Sequence, residues 1–390
     1  MMAGRIPRNV WVAGWVSFFM DVSSEMVYPL VPLFLSSTLG VSKSVIGLIE
    51  GIAEATASLL KLFSGIIADR FGRNKLLMGL GYGVSTASRP ILALATGWGM
   101  VLASRFTDRA GKGIRTAPRD AIIAASTRPE RLGLSFGFHR AMDTAGAVVG
   151  PAAALAILAA WASDYRLVFW LSLVPGIVAV ALIVRFIESD GTVSQRHALP
   201  SWSFRSFDTR FWEFLLVVGL FSLGNSSNAF LILKAEQVGT SPAWISGMYL
   251  AFNGVYALVS LPAGMLADRL GMKRMIAGGF GLFAAVYAGF ALAVTPWHIA
   301  GLFVAYGVYM GLTEGVQRAY LATLIPAERM ATGFGLYHMV VGLAILPASL
   351  IAGALWDTVG PASPFWFSAA SAALAAGAFV AISTPRSAKA

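Results

Sequence analysis

Apolar stretches of about 20 residues recur from one end of this chain to the other, and they leave it few ways to fold. A helix needs about 20 residues to cross a hydrocarbon core of roughly 30 Å. Twelve such stretches can be placed, over 10–36, 44–68, 76–96, 99–123, 133–161, 166–187, 211–235, 242–267, 275–294, 297–324, 331–355 and 363–384. Hydrophobic residues make up 57% of the chain and charged residues 12%, and mean hydropathy is +0.71. Soluble domains are roughly 25% charged, so this chain could not cover its surface in water. The reading is an all-α integral membrane protein. The apolar run from Val10 is too long for a signal peptide and leads straight into the next span. Cysteine is absent, which excludes disulfides, thiolate metal sites and thiol catalysis.

A second constraint is internal duplication. The string G-x-x-x-D-R-x-G occurs at Gly65–Gly72 and again at Gly264–Gly271, so Asp69-Arg70 matches Asp268-Arg269. Basic residues follow both copies (Arg73 and Lys75; Lys273 and Arg274), Arg119 falls opposite Arg318, and Glu130-Arg131 falls opposite Glu328-Arg329. The period is half the chain, so the protein is one unit duplicated. The expected domains are a six-helix bundle over 1–187, a linker over 188–210 containing Gly191, Pro200 and several serines, and a second bundle over 211–390. Loop arginines and lysines fall almost entirely on one side, with only Lys43 and Arg166 on the other. The positive-inside rule then puts both termini and the linker in the cytoplasm. That placement assigns the +10 net charge to membrane topology and not to nucleic acid.

The loop between spans 2 and 3, G-I-I-A-D-R-F-G-R-N-K, and its degenerate copy between spans 8 and 9 resemble the signature of the major facilitator superfamily. The resemblance covers essentially the whole chain. It implies twelve transmembrane helices in two pseudo-symmetric six-helix bundles, a small-molecule substrate near mid-membrane between the halves, and alternating access by rocking. Gly65 and Gly72 would allow close helix approach and a tight turn. Asp69 would hold the N-terminus of a helix from the other half, and Arg73 would pair with Asp120 in a charge relay. Arg70, Asp268 and Arg269 belong to the same gating set. The alternative is that these loops are solvated topological anchors. In span 5, Gly137, Gly146, Gly150 and Pro151 give G-x8-G-x3-G-P, similar to the span-5 motif of drug:proton antiporters in the superfamily, although alanines stand where further glycines usually follow. This favours export over import. Ordinary small-residue helix packing is the other reading.

Charge inside the membrane marks where the chemistry lies, because an ionised group in hydrocarbon costs at least ~2.5–3.5 kcal/mol and must be paired or face a watery cavity. Basic residues cluster in the first half, and the second half has only Lys234 and Arg318 within its spans. Arg105, Arg109, Lys112, Arg115 and Arg119 recur every three or four residues as one stripe along span 4. Arg105 corresponds to an arginine common in the superfamily's antiporters, but the glycine usual four positions later is Arg109 here. Asp21 and Glu25 share a face of span 1, Glu50 and Glu54 share a face of span 2, and His139, Arg140 and Asp143 lie together on span 5. Asp21, Glu25 and Asp143, with Arg105, are the candidate proton-coupling groups; fixed salt bridges to Arg105 or Arg140 are the competing reading. The candidate substrate contacts are Glu50, Glu54, Arg109, Lys112, Arg115, His139 and Arg140, with Asn225, Asn228 and Glu314 from the second half.

The basic stripe favours an anionic or zwitterionic solute, and the acids of spans 1 and 2 suit a cation. The sequence therefore predicts a proton-coupled exporter of a small organic solute, a monomer in a bacterial-type inner membrane. A proton symporter for uptake is the main alternative, and a metal transporter or a non-transporting receptor are minor ones. Gly111-Lys112-Gly113 completes no phosphate loop, and no nucleophile–base set points to an enzyme. No cofactor and no metal are expected.

Overall fold

The structure is a computed structural model, which describes residues 6–40, 43–160, 165–188, 207–226 and 228–383; within the helices, no side chain is described over 43–55. It is helical throughout, with no strand among the described residues. Span 1 is α1 (Arg8–Val27), α2 (Leu30–Leu33) and a π-helical turn (Phe34–Thr38), broken where Pro29 removes a backbone donor. Spans 2 to 5 are α3 (Lys43–Phe71), α4 (Asn74–Ala93), α5 (Trp98–Ala125) and α6 (Leu132–Ala160). Span 6 is interrupted at Ser172, giving α7 (Tyr165–Leu171) and α8 (Leu173–Phe186).

Span 7 is divided into α9 (Thr209–Gly224) and α10 (Ala229–Gln237) by the polar stretch that holds Asn225 and Asn228. The remaining spans are α11 (Pro242–Leu270), α12 (Met272–Leu292), α13 (Pro296–Leu324), α14 (Met330–Thr358) and α15 (Ser363–Ser383). Each of the twelve predicted spans thus falls on one helix or on a broken run of them. Prolines inside α4, α5, α6, α11 and α14 are tolerated because neighbouring helices can re-satisfy the freed carbonyls.

Packing repeats between the halves as the sequence does. α4 lies on α5, α3 on α5 and α1 on α8; correspondingly α12 lies on α13, α11 on α13 and α9 on α15. Large apolar side chains point outward (Leu216 is 73% exposed, Leu258 77%, Leu350 65%), as a lipid-facing surface requires. Among the described residues, seven spans are long and apolar enough by composition to cross a membrane. α5 is not one of them, and its charges are carried inside protein. Glycines make that possible: a Cβ on Gly81 would lie 2.7 Å from the Arg115 backbone, and one on Gly113 would lie 2.6 Å from Leu60. The two helices flanking α5 therefore approach to backbone contact, and Arg105, Asp108, Arg109, Arg115, Arg119 and Asp120 are all buried.

The chain divides into two compact units. One comprises 1–128, 138–204 and 326–339, and the other comprises 129–137, 205–325 and 340–390. Residues 129–137 and 326–339 therefore group away from their own half of the chain. Helix–helix contact explains both. A Cβ on Gly133 would fall 2.4 Å from the carbonyl oxygen of Gly264, and one on Gly65 would fall 2.3 Å from that of Ala331. Most of the expected linker, 189–206, lies outside the described residues.

Candidate functional site

Each copy of the repeated loop motif ends in a glycine with left-handed backbone, Gly72 at φ 60° and Gly271 at φ 95°. That conformation lets the chain turn from one span directly into the next. One turn earlier, the carboxylate of Asp69 accepts the backbone N–H of Ala331 at 3.0 Å and of Thr332 at 2.6 Å, at the start of α14. Asp268 does the same for Gly133 and Leu134, both at 2.8 Å, at the start of α6. A helix start exposes unpaired N–H groups and positive dipole, so a half-buried carboxylate is a matched partner. Arg70, Arg73 and Arg269 are exposed, and Arg73 forms no ion pair among the described residues.

The expected Arg73–Asp120 pair does not form. Asp120 is fully buried, with Oδ1 accepting from Arg119 Nε at 3.0 Å and Nη2 at 2.9 Å, and Oδ2 lying 2.8 Å from His338 Nε2. Arg73 sits past the end of the neighbouring span and stays in contact with solvent, whereas Asp120 faces the segment that α14 brings in. From Arg119 a polar path continues inward. Its Nη1 reaches Ser17 Oγ at 3.5 Å, Ser17 meets His139 Nε2 at 2.8 Å and Tyr82 OH at 3.2 Å, and the Tyr82 ring lies 4.3 Å from the Arg115 guanidinium. His139, expected at the substrate, is instead fully buried in this path.

Charged side chains of α1 and α5 converge on a small cavity lined by Asp21, Ser24, Glu25, Tyr28, Arg105, Asp108, Arg109, Lys112 and Arg115. Its volume is about 20 Å³, room for about one water. Four basic side chains here meet three acidic ones. Asp108 is held by Arg89 at 3.1 Å and by Arg105 at 3.9 Å, and Arg89 also donates to Ser23 and Ser24. Arg105 and Arg109 lie 5.2 and 5.7 Å from the Tyr28 ring. Asp143, Lys112, Glu25 and Arg115 all act electrostatically on Asp21.

Arg115 is 95% buried, and its Nε and Nη1 have no hydrogen-bond partner. Arg115 thus has two such nitrogens lacking a hydrogen bond, where Arg109 has one. The span-5 glycines fix the acids from the other side. A Cβ on Gly146 would meet Phe18 O at 2.4 Å and the Asp21 Cβ at 3.0 Å, and one on Gly150 would meet Val22 O at 2.8 Å and the Glu25 Cβ at 2.9 Å. α6 therefore lies flat on α1 at the two acids, and Pro151 follows that seam.

Other expected contacts fall elsewhere. Arg140 pairs with Asp143 at 2.5 Å and neither residue lines the cavity; the i, i+3 spacing lets them close on each other first. Gly137 packs on Ser260 and Gly264. The side chains of Glu50 and Glu54 lie outside the described residues. In the other unit, Asn228 accepts from Tyr306 OH at 3.0 Å, Glu314 accepts from Tyr256 OH and lies 3.9 Å from Arg318, and Asn225 ends α9. Sequence reasoning passed over Ser24, Tyr28, Arg89 and Asp108 as site residues. Asp21, Ser24, Glu25 and Tyr28 recur at helical spacing and could have been read as one stripe. The pairing of Arg89 with Asp108 across helices left no such signal.

Twelve helical spans in duplicated halves, with a buried charged cavity within the membrane-spanning helices, mark a membrane transporter. The sequence profile of the Major Facilitator Superfamily matches residues 13–233 and 214–390, and the chain belongs to that family. It is 34% identical over 370 residues to an uncharacterized MFS-type transporter of Methanocaldococcus jannaschii, covering 93% of this chain and 92% of the other. It is 25% identical over 342 residues to the multidrug resistance protein MdtH of Yersinia enterocolitica, covering 85% and 82%. In fold it is similar to the human organic anion transporter MFSD10 (TM-score 0.84, 15% identity, 95% and 99% covered). It is likewise similar to the fucose:proton symporter FucP of E. coli (TM-score 0.78, 12% identity, 96% and 98% covered).

Proposed function

We propose that this transporter exports a small zwitterionic organic solute in exchange for protons, with both termini on the cytoplasmic side of a bacterial-type inner membrane. Arg115 carries the reading: a buried guanidinium with two nitrogens unpartnered, in a cavity where bases outnumber acids. An anionic group supplies the missing acceptors, and a planar guanidinium grips a carboxylate with two hydrogen bonds. The acids set the direction of coupling. A solute that is only anionic binds better when Asp21 or Glu25 takes a proton, which drives solute and proton the same way. A solute whose ammonium group meets Asp21 or Glu25 competes with the proton, and competition for one site is what exchange requires. The relationship to a multidrug resistance protein favours export.

The cavity of about 20 Å³ must open to admit any organic solute. In this reading the carboxylate caps at Asp69 and Asp268 are latches that make and break during alternating access. Purified protein in vesicles, screened with zwitterionic and purely anionic solutes under imposed pH gradients, tests the proposal. A zwitterion is expected to move against the proton gradient. Arg115→Gln should bind it about 10- to 100-fold more weakly, with Arg115→Lys in between. Unchanged affinity in Arg115→Gln, or solute moving with protons, overturns it.

A further inference from the structure

A groove of about 770 Å³ runs along the outside of α4 beside α8, far larger than the charged cavity and unused by the transport reading. Its floor is made by residues with little or no side chain: Gly79, Gly83 and Ala87 follow one another at intervals of four along α4. A Cβ on Gly83 would meet nothing within 4 Å, and one on Gly79 would meet only Ile183, at 3.7 Å. The rims are exposed apolar side chains, Leu76 and Leu80 on α4 and Val184 on α8. From Arg73 to Ala87 the helix rises about 21 Å at ~1.5 Å per residue. A single leaflet provides about 15 Å of hydrocarbon, half of a ~30 Å core, so the groove suits an acyl chain with its headgroup at one end.

That end is not apolar. Arg73 is exposed and without an ion pair among the described residues. Lys75 Nζ donates to the Val184 carbonyl at 3.3 Å, which ties its charge across the mouth. Asn74 Oδ1 is buried there with no hydrogen-bond partner. Two cations and one unpaired acceptor at the mouth of an apolar trough match a phosphodiester whose headgroup also carries hydroxyl donors. We infer that this groove binds one anionic diacyl phospholipid of phosphatidylglycerol type, phosphate on Arg73 and Lys75, glycerol hydroxyl on Asn74, and one tail along Gly79, Gly83 and Ala87.

The test uses the full chain in detergent, with native mass spectrometry counting retained lipids during titration by phosphatidylglycerol or by phosphatidylcholine of the same tails. The parent protein should retain one more tightly held phosphatidylglycerol than phosphatidylcholine. Arg73→Gln with Lys75→Gln should weaken that one site about 25-fold, roughly fivefold for each cation near the membrane surface. Both residues lie at the chain surface, so the fold should survive. Gly83→Leu should abolish the extra lipid by filling the trough, while the melting temperature in lipid-free detergent holds or rises because leucine favours helix over glycine. Millimolar inorganic phosphate should not displace the lipid. Equal retention of both lipids, an unchanged count in either variant, or displacement by phosphate alone overturns the assignment.

Discussion

Replacing Asp69 by asparagine isolates what one latch contributes. In the parent, both carboxylate oxygens accept a backbone N–H, from Ala331 at 3.0 Å and Thr332 at 2.6 Å. Asparagine keeps one acceptor oxygen and turns an NH2 group towards the second N–H, so one charge-assisted hydrogen bond is lost outright. Such bonds contribute about 1.5–3 kcal/mol. The equilibrium between capped and uncapped α14 should therefore shift by about 10- to 150-fold. The affected groups can be read directly by hydrogen–deuterium exchange of peptides spanning Ala331 and Thr332 in nanodiscs, where exchange follows the population of the open form. Asp69→Asn should accelerate these amides by that factor and leave Gly133 and Leu134, which Asp268 caps, within twofold. Arg70→Gln, at an exposed position, should change neither pair. If Asp69→Asn leaves exchange at 331 and 332 within twofold of the parent, the carboxylate does not hold the helix start and the gating role assigned to it fails.

Three further outcomes are expected. Gly146→Ala should destabilise the protein by about 1–3 kcal/mol through overpacking against Phe18, whereas Gly83→Ala, with open space around it, should be neutral or stabilising; detergent melting curves of the two variants compare them. His338→Ala removes the His338 contact to the buried Asp120 and should lower the melting temperature more than His338→Gln, which retains a donor; equal losses would mean that packing and not the hydrogen bond matters. At least one of Asp21→Asn and Glu25→Gln should bind the zwitterionic solute more weakly and lose acceleration by an imposed pH gradient in vesicle flux; unchanged binding and full gradient dependence in both would move the proton site elsewhere.

The spans, the duplication and the glycine-rich loops were legible because each is a local pattern with a local cause. Gly65 and Gly264 announce close approach by lacking a side chain, and the structure puts a carbonyl where each Cβ would be. The stripe on α5 was legible for the same reason, since its charges repeat at the helical period. Pairings between helices were not. Asp120 and His338 lie 218 positions apart, and no periodicity distinguishes that partner from Arg73, which sits nearby in sequence and topology. Arg140 could be placed beside Asp143 by spacing, yet spacing alone does not say that neither would line the cavity. The break of span 7 at Asn225–Asn228 was hidden because a predicted span counts apolar residues and passes over a short polar interruption.

The two caps share their backbone contacts: Asp268 accepts two amides, and Asp69 accepts two amides together with the Thr332 side chain. The shared part of the grip is on amide groups, which every residue but proline offers, so the backbone bonds themselves select no side chain at the capped positions. The steric demand falls on their neighbours: Gly65 faces Ala331, and Gly264 faces Gly133. The duplicated sequence thus carries two carboxylate caps with the same pair of amide contacts. Gly264 and Gly133 must both lack a side chain, because a Cβ on either would strike the other's carbonyl oxygen, whereas at the first cap the demand falls on Gly65, whose Cβ would strike the Ala331 backbone. At both caps the close steric contact therefore joins a residue of one repeat copy to a residue of the other.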